Sequence, residues 1–158
     1  MLKTSKKFSV ILSITLSVAF FLVCVFLAAV MPFVVDALIT ARDSINQVFE
    51  SVLTTDYTVI LILAYLVLAV AMLADGLLFA LLLRVYSEKV FTPISVGLIR
   101  GVSWCCFLIC LIFCGLGLYF QLGFVVAFAA AFLGLCIRVV KNVIEEATEI
   151  KSENDLTV

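Results

Sequence analysis

Histidine is missing from this 158-residue chain. Its absence removes the commonest general base near neutral pH and the commonest transition-metal ligand. Charge is scarce too, at 13% of residues and a net value of -1, and the ten lysines and arginines are scattered rather than clustered. A nucleic-acid footprint requires a basic patch, so direct binding of DNA or RNA is not expected. None of the six cysteines belongs to a CxxC pair, the spacing typical of thiol redox and zinc sites. Cys24, Cys105, Cys106, Cys110, Cys114 and Cys136 all fall in apolar runs and read as small packing residues. With no paired carboxylates at membrane depth either, no catalytic residue, metal ligand or cofactor is predicted, and an enzyme is not expected.

What fills the chain instead is hydrocarbon. Apolar residues make up 66% of it and the mean hydropathy is +1.35, whereas soluble domains are apolar at roughly half their positions. The composition predicts an all-α integral membrane protein in one membrane domain, with the lipid bilayer as its principal surroundings.

Lys3, Lys6 and Lys7 precede an apolar run from Phe8 to Val35. It exceeds the ~7–15 residue core of a cleaved signal peptide and is expected to remain as a signal anchor. Bulky Val23 before Cys24 argues against a lipidation site. The first span is predicted at 8–34, ending near Pro32, whose ring removes one backbone hydrogen bond. Residues 36–56 then carry Asp36, Asp43, Glu50 and Asp56 against Arg42, while Leu38, Ala41, Ile45, Val48, Phe49 and Val52 recur at helical spacing. An amphipathic outer helix is predicted there, either packing its stripe on the other helices or sensing an external ligand.

The second span is predicted at 57–83 and the short inner loop at 84–93. Thr92 is placed to cap a third helix with Pro93 in its first turn. The stretch from Ile94 to Val140 is too long for one crossing and suits two, with spans at 102–120 and 122–140 and a tight turn around Gln121 and Gly123. Gly115, Gly117 and the small residues Ala127, Ala129, Ala130 and Ala131 let these two helices approach closely. All lysines and arginines except Arg42 then fall on one side, and the positive-inside rule puts both termini in the cytoplasm.

Two groups of residues stand out. Asp75 interrupts the second span, where an acid is costly without a partner, and counting along antiparallel helices puts it at a level similar to that of Arg100 near Trp104. An interhelical ion pair between Asp75 and Arg100 is therefore expected, with a proton or ion relay as the other reading. In the tail, 141–158, Val140, Val143, Ala147 and Ile150 alternate steps of three and four, with Ile144 widening the stripe. The fourth helix should continue into the cytoplasm, giving way around Ser152 to Asn154 so that Asp155, Leu156, Thr157 and Val158 are extended. That end suits a strand edge or pocket on a partner; otherwise the stripe folds back on the inner ends of the second and third helices.

FTPISVGLIRGVSW and EIKSENDLTV resemble sequences of domain-of-unknown-function family 2975. The likeness falls on Phe91, Thr92, Val96, Leu98, Arg100 and Trp104, and on Glu153, Asn154, Asp155, Leu156, Thr157 and Val158; Ile99 stands where the family has a leucine directly before the arginine. The resemblance implies a small bacterial four-span protein, hence a multi-pass protein of the bacterial plasma membrane. Because its members are often encoded beside small helix-turn-helix regulators, it also implies, by association, a membrane-embedded partner or sensor for a cytosolic regulator, with Glu153 to Val158 as the candidate contact. The competing expectation is a small transporter or channel component linked to resistance to membrane-active compounds, which needs a homo-oligomer to enclose water.

Overall fold

The computed structural model describes the backbone of residues 2–45, 56–87 and 91–156, and side chains over 8–41, 56–87, 91–151 and at 153. Four helices account for nearly all of it: α1 (Leu2–Ile45), α2 (Tyr57–Tyr86), α3 (Pro93–Gly117) and α4 (Leu122–Leu156). Each is long and apolar enough to cross a bilayer, with mean hydropathies from 2.2 to 2.9 in its most apolar stretch. The protein is a multi-pass, all-helical membrane protein.

The helices stand in single file. α1 packs on α2, α2 on α3 and α3 on α4, and among the described residues no other pair of helices meets. Neighbours run antiparallel: Ser17 and Ala28 of α1 bond Asp75 and Tyr65 of α2 in reverse order. Gly101 and Gly115 of α3 likewise face Leu77 and Leu63 of α2. The start of α1, the α2–α3 connection and the end of α4 therefore share one end of the row, called here the terminal end. The opposite, hairpin end carries the α3–α4 turn and the start of α2.

Close approach explains where glycine is used. A β-carbon on Gly123 would stand 2.7 Å from the backbone nitrogen of Gly117, and one on Gly117 would stand 2.9 Å from the Phe124 ring. The tight turn predicted around Gln121 and Gly123 is thus built by backbone against backbone. Further along, Gly134 sits against Cys106 and Phe107, Ser103 Oγ donates to the Gly134 carbonyl at 3.0 Å, and Ala127 is buried. Of the small residues of α4, Ala127 and Gly134 are buried and Ala130 and Ala131 half-buried, whereas Ala129 is exposed. At the other end of α3, Thr92 caps the helix as expected, its side chain accepting from the Ser95 amide, with Pro93 in the first turn.

α1 runs through Pro32 to Ile45, past the end of the span predicted at 8–34. Lipid offers no water to satisfy an opened backbone, so losing one hydrogen bond costs less than breaking the helix. The first part of the predicted outer helix is thus a continuation of α1, and Leu38 there is exposed; Val48, Phe49 and Val52 lie outside the described residues. The tail, in turn, is not extended from Asn154: α4 remains helical to Leu156. After Gly134 the sequence has neither glycine nor proline, and its Glu, Ala, Lys and Ile residues sustain a helix. Thr157 and Val158 lie outside the described residues.

The cysteines are all free thiols. Cys24 and Cys105 are buried at helix seams, while Cys114 and Cys136 are exposed.

Candidate functional site

Chemistry is concentrated toward the terminal end, in three places. The first lies between α1 and α2. Ser17 Oγ donates to Asp75 Oδ1 at 2.8 Å, and Ser17 is buried. These two residues and Ser13 form the polar part of a groove of about 440 Å³ otherwise walled by Leu16, Phe20, Leu78, Leu81, Leu82 and Val85. A carboxylate with one hydroxyl donor in an apolar groove can attract a cation or hold a proton.

The second lies between α3 and α4. Arg100 Nη2 reaches Glu145 Oε1 at 3.3 Å and Lys141 Nζ bonds the other oxygen of the same carboxylate. Lys141 also donates to Asn142 at 3.3 Å. The Arg138 guanidinium lies 5.5 Å from the centre of the Trp104 ring and 5.8 Å from that of Phe107, close enough for cation–π attraction. Trp104 and Phe107 meet edge to face, their centres 6.4 Å apart.

The expected Asp75–Arg100 ion pair is therefore not made. Counting along the helices placed both near one level, and Leu77 against Gly101 agrees. The error is one of direction. At about 100° per residue, Asp75 lies about 200° round α2 from Leu77, so it faces α1 while Arg100 faces α4. Ser17 and Glu145, the actual partners, carried no sequence signal beyond being polar at helical spacing from those neighbours.

The third place is the end of α4. Its face toward α3 carries Gly134, Lys141 and Glu145. Val139, Val143 and Ile150, about half a turn away, are exposed. The register of α3 on α4 brings Pro93 level with about Ala147, so the last two turns or so of α4 extend beyond α3. Within the stripe Val140, Val143 and Ile150 are exposed, whereas Ile144 and Ala147 are half-buried. Of the tail residues singled out from the sequence, Glu153 is exposed, and Asn154, Asp155 and Leu156 continue the helix.

A family model described as "Protein of unknown function (DUF2975)" matches residues 38–158. The chain belongs to the DUF2975 family. The match takes in the last turns of α1 and all of α2, α3 and α4. Asp75, Arg100, Lys141 and Glu145 lie within it, whereas Ser17, the partner of Asp75, precedes it. No match was found among curated proteins or solved structures. Among the described residues no group of histidine, cysteine and carboxylate side chains is arranged to hold a metal ion.

Proposed function

We propose that this DUF2975 protein is a non-enzymatic membrane-embedded docking protein that holds a small cytosolic helix-turn-helix regulator on its projecting α4. The observation that carries the reading is an apolar face, Val143 and Ile150, left exposed on a helix that continues past its neighbour. Five acids against one lysine follow Asn142, an electrostatic match for the basic surface of a DNA-binding protein. The terminal end, with all described lysines and arginines from Arg84 onward, is assigned to the cytoplasm of a bacterial plasma membrane by the positive-inside rule.

Cell fractionation of a small helix-turn-helix regulator, sought in the adjacent reading frame and co-expressed with the full chain, tests this reading. The regulator should sediment with membranes holding the full chain and become soluble when Glu153–Val158 are removed or Val143→Asp and Ile150→Asp are combined. A regulator that stays on the membrane in both variants refutes it.

The groove at Asp75 favours a second reading, a small transporter component working as an oligomer. Cation flux in proteoliposomes that is lost on Asp75→Asn would favour it over docking.

A further inference from the structure

The basic cluster between α3 and α4 is not needed for docking on the far face of α4. Arg100, Arg138 and Lys141 line, with Ser103 and Trp104, a recess of only about 10 Å³, so a phosphate would rest over these side chains at the surface of the seam and not inside it. The acid bonded within this group is Glu145, which is shared by Arg100 and Lys141; Arg138 has no carboxylate partner among the described residues and lies on the Trp104 face. Three cations against one carboxylate leave an excess of two positive charges.

Depth decides what such a cluster meets. From Leu122 at the hairpin, ~1.5 Å per residue puts Arg138 at about 24 Å and Lys141 at about 29 Å, beside the far edge of a hydrocarbon layer ~30 Å thick. Trp104, 55% exposed, supplies the amphipathic ring typical of that boundary. Arginine forks match phosphate oxygens in pairs, and basic clefts between membrane helices receive anionic headgroups.

We infer that Arg100, Arg138 and Lys141, with Trp104 beside them, bind the phosphate of an anionic lipid headgroup at the terminal end of the α3–α4 seam. Glu145 occupies part of the same positive field and limits the affinity. The phosphate chemistry is common to lipid and to soluble phosphate, so the test separates the two sources.

Trp104 is the one tryptophan in the chain, and its fluorescence reports the site in the unmodified protein. The full chain is reconstituted in phosphatidylcholine bilayers containing a fixed fraction of brominated phosphatidylglycerol or, in parallel, brominated phosphatidylcholine. Local enrichment of the anionic quencher by about five-fold or more is expected, with a further rise in Glu145→Gln. The preference should vanish in a combined Arg100→Gln, Arg138→Gln, Lys141→Gln variant and persist in Lys151→Gln. If millimolar inorganic phosphate changes Trp104 emission while both brominated lipids quench alike, the phosphate bound is soluble. Equal quenching with no response to phosphate overturns the proposal, as does a preference that survives the triple variant. Should that variant not fold, the unmodified protein and Glu145→Gln still decide the question.

Discussion

The backbone of Gly117 occupies the space that a side chain on Gly123 would need, with 2.7 Å between the Gly117 nitrogen and the site of the missing β-carbon. Backbone cannot swing aside as a side-chain end can, so the α3–α4 hairpin depends on this pair. Gly123→Ala should destabilise the protein by about 1–3 kcal/mol. Gly76→Ala, where nothing lies within 4 Å, should be neutral or stabilise by up to about 1 kcal/mol. Thermal unfolding in detergent compares them; equal melting would remove the hairpin argument.

Asp75 should be coupled to Ser17 and not to Arg100. A double-mutant cycle of Ser17→Ala with Asp75→Asn is expected to show an interaction of about 0.5–3 kcal/mol. The cycle of Asp75→Asn with Arg100→Gln should be additive to within about 0.5 kcal/mol. The reverse pattern would restore the ion pair expected from sequence.

Val143 and Ile150 are more than half exposed, at 61% and 54%. Replacing either with serine should change stability by no more than about 0.5 kcal/mol. Ala127→Leu, at a position only 3% exposed in the α3–α4 seam, should lose about 1–3 kcal/mol through overpacking. Detergent melting curves check both, and a large loss at Val143 would mean that its face is covered.

Both ends of the chain should report the same compartment. A fluorescent protein fused after Val158 should be bright in bacteria, and alkaline phosphatase fused there should be inactive, because the terminal end carries the basic residues. Phosphatase placed after Gln121, in the α3–α4 turn, should be active. An active phosphatase at the C-terminus would invert the assigned topology.

Much of this architecture is legible in the sequence because membrane helices advertise themselves by length and hydropathy. The antiparallel hairpin at Gln121–Gly123 and the cap at Thr92–Pro93 were equally plain, since each rests on local chemistry. Direction around a helix was harder to read. Asp75 and Arg100 were placed at the right level, but almost every face of α2 and α3 is apolar, so no polar stripe showed which way either residue turned. How far α1 would run beyond Pro32 was hard to read for a related reason: proline removes one backbone hydrogen bond, but lipid offers no water to a freed carbonyl and favours keeping the helix. The tail misled because Ser152, Asn154 and Asp155 are residues that favour caps and turns, yet α4 stays helical through them to Leu156.

Single-file packing also bears on how the protein is made. Every tertiary contact between described helices joins an element to the one directly before or after it in the chain. Loop closure over long separations, which slows many folds, is therefore avoided. α2 can settle on α1, α3 on α2 and α4 on α3 in the order of synthesis, each new helix finding its whole docking surface already in the bilayer. As in linear repeat proteins, stability should then build interface by interface, and a defect introduced late in the chain should leave the earlier pairs intact.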